Sequence, residues 1–412
     1  MPHPEGDARS VADAVARRSY GKLVAFLAAR THDVAAAEDA LSEAFASALT
    51  DWPHHGCPSN PEAWLLTVAR RKLIDRTRHE QIVEFQAIVE GLEIAAASPA
   101  LEEIPDRRLA LIFACTHPAI DASMRAPLIL QTILGLDAGR IASAFLISPA
   151  TMGQRLVRAK TKIRQAGIPF SIPGRDELSD RLDSVLNAIY AAFSEGWIDA
   201  TGADIARRDL AEEAIFLGRL VTQLLPDEPE ALGLLALMLY AEARRPARRS
   251  PQGDYIPLAE QDPALWDAPK IAEAEALLRH ASTQARIGRY QLEAAIQSAH
   301  ITRRRTGIAN WKSIAQLYDA LLALSISPVV AINRALIIAE IQGPSDALKA
   351  LKQIEDDPRL ASYQPYWAAR AALFAQIGAH PQAREAYDIA IGLERDPAVR
   401  RFLQRRQSLV TR

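Results

Sequence analysis

The stretch Leu136–Arg164, LDAGRIASAFLISPATMGQRLVRAKTKIR, predicts two helices joined by a short turn. The first runs over about Ala138–Phe145. Ser148 is a natural N-cap for the second, and Pro149 suits the first helical position, where a missing N–H has no consequence. Apolar residues of the second helix recur at spacings of four, three and four, so they form one stripe: Met152, Leu156, Ala159 and Ile163. This pattern predicts that the second helix is buried along one side.

The opposite side of the second helix is basic. From Ala138 to Arg164 the chain holds six Lys or Arg and no Asp or Glu. A helix that is apolar behind and basic in front, after a short turn, is what docking into the major groove of DNA requires. Gln154 and Arg155 suit base edges, and Arg158 suits phosphate. The candidate DNA contacts are Arg140, Thr151, Gln154, Arg155, Arg158, Lys160 and Lys162. The alternative is a plain helical hairpin with a solvated charged face.

Composition places the chain among ordinary globular proteins. It has 412 residues, 49% hydrophobic and 24% charged, with a net charge of −2, so only local clusters of charge can indicate nucleic-acid binding. Two cysteines exclude a disulfide scaffold and favour a reducing cytoplasm. The polar start MPHPEGDARS predicts no signal peptide, and no apolar run approaches the ~18 residues of a membrane span. Because β-branched alternation is nearly absent, the predicted fold class is all-α.

Two further charged helices are predicted upstream, after a first helix over Val11–Ala29. Asp33–Leu49 carries four acidic residues beside an apolar face and no basic residue. Asp51–Pro61 is predicted to be a loop because of its Pro, Gly, Asn and Ser content. Asn60 is then an N-cap for a basic helix over Glu62–Glu80.

These segments resemble a known family. AEDALSEAFASAL (Ala37–Leu49) and PEAWLLTVARRKLIDRTR (Pro61–Arg78) resemble region two of extracytoplasmic-function sigma factors of the sigma-70 family, and Leu136–Arg164 is similar to their region four. In the first helix of Leu136–Arg164, the one departure from the family pattern is Arg140, where most relatives have Glu.

The resemblance implies three partner surfaces. Core RNA polymerase would be bound through its β′ coiled coil and β flap, and the acids implied for the coiled coil are Glu38, Asp39 and Glu43. The promoter −35 element would meet the basic helix of Leu136–Arg164. The residues implied for the −10 element are Trp52, Asn60, Trp64, Arg70, Arg71, Lys72 and Arg78. A solvated acidic face and a core role for Trp64 are the alternatives.

The sequence predicts four segments: a region-two module over 10–80, an acidic linker over 81–103, a region-four module over 104–168 and a helical domain over 175–412. Arg107–Cys115 and Arg125–Leu134 are predicted to brace the region-four module. The resemblance implies that the acidic linker follows the RNA-exit channel of polymerase. A solvated tether is the alternative.

The last 240 or so residues are predicted to be helical. NRALIIAEIQGPSDALKAL and ARAALFAQIGAHPQAREAY lie about 35 residues apart, a period that suits tetratricopeptide helix pairs. The segment resembles the extension of a sigma-factor subgroup, with landmarks such as YAAFSEGW (Tyr190–Trp197) and LAEQDPALWD (Leu258–Asp267). Its polar and aromatic landmarks either tie loops to the core or form a site for a protein or small-molecule regulator: Glu195, Trp197, Arg244, Arg245, Gln261, Asp262, Trp266, Gln291 and His300.

No catalytic, metal or cofactor site is predicted. His54, His55 and Cys57 lack a fourth ligand nearby, and Cys115 with His117 lacks a supporting acid. The sequence therefore predicts a non-enzymatic sigma factor that directs promoter-specific transcription initiation. The alternative is a stand-alone, ligand-responsive DNA-binding regulator, which would not need the acidic docking helix.

Overall fold

A computed structural model describes residues 4–80, 106–144, 148–197, 205–324 and 327–410, apart from a few side chains within helices. The chain divides into an amino-terminal unit, Met1–Glu195, and a carboxy-terminal unit, Gly196–Arg412. The described residues are helices and connecting turns, with one isolated β-bridge between Arg249 and Tyr255. The predicted all-α class is confirmed. The predicted acidic linker 81–103 and the turn residues 145–147 lie outside the described residues.

Three helices open the amino-terminal unit and pack on one another: α1 (Pro4–Thr31), α2 (Val34–His55) and α3 (Pro61–Glu80). Their apolar sides share a core in which Leu23, Leu27, Leu41 and Leu65 are fully buried. Asp33 caps α2 by accepting from the Ala36 N–H at 3.1 Å. Asn60 caps α3 by accepting from the Ala63 N–H at 3.1 Å, as the sequence predicts.

The end of α2 differs from the prediction. Asp51–Pro61 was expected to be a loop, but α2 continues through Pro53 to His55 and ends at Gly56, whose φ of 84° an L side chain rarely adopts. A proline this close to a helix end removes few intrahelical bonds. Trp52 anchors the extra turn because its side chain is only 3% exposed and packs edgewise on Trp64.

The second half of the amino-terminal unit is built from α4 (Arg108–Cys115), α5 (Ala122–Thr132), α6 (Ala138–Ala144), α7 (Pro149–Gln165) and α8 (Arg175–Trp197). The apolar run in α4 is buried on every side, with Leu111, Ile112 and Phe113 inaccessible to solvent. Ser148 caps α7, as predicted, by accepting from the Thr151 N–H at 3.2 Å. α8 is fastened to this half by the Arg125 guanidinium, which donates to Ser184 Oγ at 2.8 Å.

The carboxy-terminal unit continues with α9 (Ile205–Leu224), α10 (Pro229–Ala243), α11 (Ala268–Ser282), α12 (Arg289–Thr306) and α13 (Trp311–Leu324). Short 3₁₀ turns between α10 and α11 cover Arg245–Arg248, Leu258–Glu260 and Pro263–Leu265. α10 is the central helix of this group: almost its whole length is buried, and it packs on α9, α11 and α12.

The two similar sequences near the end of the chain form successive helix pairs. The first pair is α14 (Pro328–Gln342) with α15 (Pro344–Lys352), and the second is α16 (Gln364–Gln376) with α17 (His380–Leu393). Gly343 and Gly378 both have positive φ in the turns, and the alanines that follow them, Ala347 and Ala383, are fully buried. α18 (Pro397–Val410) closes the described chain.

Candidate functional site

Helix α7 presents an exposed polar face and a buried apolar stripe, as its sequence predicts. Met152, Leu156, Ala159 and Ile163 are buried. The exposed members of the predicted DNA-contact set are Arg140 on α6 and Thr151, Gln154, Arg155, Arg158 and Lys162 on α7. These six side chains are exposed to solvent, and the Thr151 hydroxyl is hydrogen-bonded to Ser148 Oγ at 2.7 Å.

Lys160 is the exception on α7. Its side chain is only 9% exposed, and Nζ donates to Glu38 Oε2 at 2.6 Å. Glu38 lies on the acidic helix α2 and is itself only 8% exposed; its second oxygen, Oε1, is buried without a hydrogen-bond partner. The pair joins a predicted polymerase-docking acid to a predicted DNA-contact lysine, 122 positions apart in the chain.

A second charged contact joins the same two helices one turn further along. Arg164 donates through Nη1 to Asp33 Oδ2 at 2.9 Å. Asp33 uses its other oxygen to cap α2, so one carboxylate both starts the acidic helix and binds the basic one. The Arg164 side chain is more than half exposed, so this contact contributes less than the buried pair.

Close backbone packing accompanies these charged contacts. A Cβ on Gly21 of α1 would lie 2.2 Å from the carbonyl oxygen of Ile133, which directly follows α5, so only glycine fits there. Beside it, Gly135 has a φ of 65° and stands against the ring of Tyr20. The His32 ring meets the edge of Phe170 at a centroid distance of 5.8 Å. The α1–α3 half therefore packs on the α4–α7 half through shaped surfaces as well as charge.

Burial dominates the electrostatics at this contact. The pKa of Glu38 is raised, chiefly because burial disfavours its charge; Lys160 opposes that shift, and Asp39 and Asp33 add to it. The pKa of the Tyr20 hydroxyl is also raised by burial and by the nearby charges of Glu38 and Asp39. Lys160 thus compensates the buried carboxylate only in part.

The other predicted docking acids lie on the solvent side of α2. Asp39 and Glu43 are both exposed. Glu43 forms an ion pair with Lys72 of α3 at 3.4 Å, in which each side chain is roughly half exposed. Such a surface pair is weak and exchanges readily for another partner.

The predicted −10 residues fall into a buried group and an exposed group. Trp52 is buried, and its ring centroid lies 5.5 Å from that of Trp64, which is half-buried. Arg70 is buried against the ring of Phe26 at 5.2 Å, and burial followed by the nearby Arg30 lowers its pKa. The exposed members are Asn60, Arg71 and Lys72. The side chain of Arg78 lies outside the described residues.

The structure offers no metal cluster among the described residues, since no group of three or more His, Cys, Asp or Glu side chains is placed to hold an ion. Cys57 is exposed, and Cys115 is buried beside Thr132, where burial raises the pKa of its thiol to about 12. A thiol held protonated in this way is unsuited to nucleophilic chemistry. Within the described part of the chain, no helix is both long and apolar enough to cross a membrane.

Sequence reasoning missed the groups that join the two halves: Gly21, Tyr20, Asp33 and Arg164. Asp33 was counted among the acids of α2, and Arg164 only as the end of the basic stretch. Charge complementarity between an acidic helix without Lys or Arg and a basic helix without Asp or Glu could have indicated the contact of Asp33 with Arg164, whereas Gly21 and Tyr20 carry no such signal.

Comparison with known proteins defines the class of this chain. Residues 15–82 match the family model for sigma-70 region 2, and residues 181–282 match a family of unknown function, DUF6596. The first match covers α2, α3 and more than half of α1, and the second covers most of α8 through α11. No solved structure matches the chain. The match to region 2 assigns the amino-terminal helices to that domain family and supports a sigma-70 type of role in transcription initiation.

The similarity extends well beyond the matched domains. The chain is 38% identical over 366 residues to uncharacterized protein R00370 of Rhizobium meliloti (strain 1021). The aligned region covers 87% of this chain and 86% of that protein. The chain therefore belongs to the same family as this rhizobial protein. Region 2 implies binding to core RNA polymerase and promoter DNA.

Proposed function

We propose that this chain is an extracytoplasmic-function sigma factor that acts in the cytoplasm and directs core RNA polymerase to a two-part promoter. The observation that carries the proposal is the exposed face of α7, where Gln154, Arg155 and Arg158 stand together opposite a buried stripe. A helix of this kind suits the major groove of a −35 element. Gln and Arg are the side chains that read adenine and guanine edges there.

The −10 element would be held by the α2–α3 corner. Three exposed side chains suit contacts to the backbone of an opened DNA strand. They are Asn60, which caps α3, and Arg71 and Lys72, which lie in the middle of that helix. Trp64 is partly accessible to solvent, whereas Trp52 is buried and packs edgewise against the Trp64 ring. Base stacking is therefore assigned to Trp64, and Trp52 to positioning it.

Core polymerase would be bound first through the accessible acids of α2, Asp39 and Glu43. Glu38 is part of the same acidic helix but is bonded to Lys160 in this arrangement. Using Glu38 for docking therefore requires α7 to leave α2, which also releases Lys160 for a DNA phosphate. Polymerase binding and exposure of the complete basic helix are thus coupled.

The carboxy-terminal unit would modulate this activity. Its tandem helix pairs share one core, formed by residues such as Ile332, Leu351 and Tyr366, in the manner of stacked tetratricopeptide-like repeats. Stacks of this kind bind partner peptides or ligands on one surface. The unit is the expected site of a protein or small-molecule regulator.

In vitro transcription with purified core polymerase tests the proposal. Promoters for the test are selected from random-sequence duplexes that the chain and core polymerase bind together. The variant Gln154→Ala/Arg155→Ala should lose about a hundredfold in −35 selectivity, since each good base contact contributes roughly 1–3 kcal/mol. Arg9→Ala, an exposed arginine on α1, is the matched control and should transcribe like the unaltered chain.

Gel shifts without polymerase separate the proposal from its alternative. A sigma factor of this kind should select duplex DNA poorly by itself and well with core polymerase. Tight, sequence-specific binding by the isolated chain, unaffected by core polymerase, would identify a stand-alone regulator instead.

A further inference from the structure

One apolar side chain stands on the exposed polar face of α7. Val157 is 60% exposed, whereas every apolar residue of the buried stripe on the opposite side of α7 is at most 8% exposed. Val157 follows Gln154 by three positions and directly precedes Arg158, and both of those side chains are exposed. Because residues three apart are neighbours on a helix surface, Val157 lies beside Gln154.

Neither packing nor helix formation accounts for a valine at this position. Its side chain contributes little to the core, since most of its surface is accessible. A β-branched residue also favours a helix less than alanine or arginine does. Single apolar residues are common on protein surfaces, and what distinguishes Val157 is its place among the side chains proposed to read DNA.

The shapes of these side chains decide what each can contact in the major groove. Gln154 and Arg158 are long and end in hydrogen-bonding groups. Val157 is short, ends in two methyl groups and forms only apolar contacts. The one methyl group that a base pair presents in the major groove is the C5-methyl of thymine, which apolar side chains contact.

We propose that Val157 contacts the methyl group of a thymine in the −35 element; this inference rests on the proposed function. The Cβ atoms of residues three apart on a helix are about 5–6 Å from each other. Successive base pairs are about 3.4 Å apart, so the thymine lies within about two base pairs of the base contacted by Gln154. Val157 thus distinguishes thymine from other bases without a hydrogen bond.

Replacing single thymines of the −35 element by deoxyuridine tests this proposal, because only the methyl group is removed. The DNA is a promoter selected as above and bound by the full chain together with core polymerase. One replacement within the −35 element should weaken binding about fourfold, the effect of exposing one methyl group. A selected −35 element without thymine would overturn the proposal, as would equal binding of every deoxyuridine duplex and the thymine duplex.

Val157→Ala locates the contact in the protein. Alanine lacks the two terminal methyl groups and favours a helix more than valine, so the variant retains α7. It should bind the thymine promoter about fourfold more weakly than the unaltered chain and should not distinguish thymine from deoxyuridine. Val329→Ala, at a 39% exposed position of α14, is the matched control and should keep the preference for thymine. A preference for thymine that persists in Val157→Ala would overturn the assignment.

The variant Gln154→Ala/Arg155→Ala separates a failure of this inference from a failure of the proposed function. If that variant keeps its −35 selectivity, α7 does not read the promoter and both proposals fail. If it loses selectivity while Val157→Ala still prefers thymine to deoxyuridine, α7 reads the promoter and only the methyl contact is wrong.

Discussion

Glu38 of the acidic helix and Lys160 of the basic helix are bonded at 2.6 Å, and both side chains are buried. A buried ion pair loses the hydration of both charges, and here the raised pKa of Glu38 indicates that burial outweighs the attraction of Lys160. The pair therefore determines that α2 packs on α7, but it contributes little to the stability of that contact. The shaped packing around Gly21 holds the two halves together.

A single and a double variant test this division of roles. Lys160→Met alone leaves Glu38 buried without its cation and should destabilise the contact between α2 and α7 by about 3 kcal/mol or more. Glu38→Leu/Lys160→Met replaces the pair by apolar side chains of similar size and should be neutral or stabilising. Hydrogen exchange read by mass spectrometry on α2 and α7 measures both. A double variant as unstable as Lys160→Met would show that the pair itself holds the halves together.

Gly21→Ala should separate the two halves without altering any charge. Its Cβ would stand 2.2 Å from the Ile133 carbonyl oxygen, and a backbone atom cannot move aside as a side chain can. Alanine favours a helix by up to about 1 kcal/mol over glycine, so α1 alone would gain stability. We expect faster hydrogen exchange in α5 and α7 despite that gain.

The matched control is Gly392→Ala in α17, where an added Cβ would meet nothing within 4 Å. This variant should raise the thermal stability of the carboxy-terminal unit only by the difference in helix propensity between alanine and glycine. Faster exchange in α5 of the control as well would show that the effect of Gly21→Ala is not specific to the contact with Ile133.

The contact between α2 and α7 should weaken as pH rises. The pKa of Glu38 is raised in the packed arrangement above the ordinary glutamate value of 4.5, so packing favours the protonated carboxyl. The stability linked to that proton is fully present below pH 4.5 and is lost as pH rises through the raised value. The titratable groups that interact electrostatically with Glu38 in the described chain are Lys160, Asp39, Asp33, Tyr20 and Cys115.

Glu38→Gln isolates this contribution, because glutamine has the shape of the protonated side chain and does not titrate. The opening free energy of α7, from hydrogen exchange between about pH 4.5 and pH 7, should fall more steeply in the unaltered chain than in Glu38→Gln. Glu43→Gln, at an exposed position of the same helix, should keep the steeper dependence. Equal slopes in all three chains would contradict the role of Glu38.

Local chemistry predicted most helices, whereas the contacts between them needed the fold. The described carboxy-terminal residues are mainly helical, as predicted, and local residues mark helix ends there: α14 begins at Pro328 and ends before Gly343. The caps Asn60 and Ser148 are also local features and are confirmed. The Glu38–Lys160 pair joins positions 122 residues apart, which no local pattern can relate. The burial of Arg70 likewise depends on Phe26 of another helix.

Arg70 and Arg71 are neighbours on α3 with opposite surroundings, and they should differ in their contribution to DNA binding. Arg71 is exposed, so Arg71→Ala should remove one phosphate contact and reduce the salt dependence of promoter binding by about one unit of slope. Arg70 is buried on Phe26 with Nε and Nη2 unpartnered, so Arg70→Met keeps the packing and relieves two buried donors. We expect Arg70→Met to bind promoter normally and to be at least as stable as the unaltered chain. Filter binding of the complex with core polymerase across salt concentrations measures both slopes, and a reduced slope in Arg70→Met would mean that α3 rearranges when DNA binds.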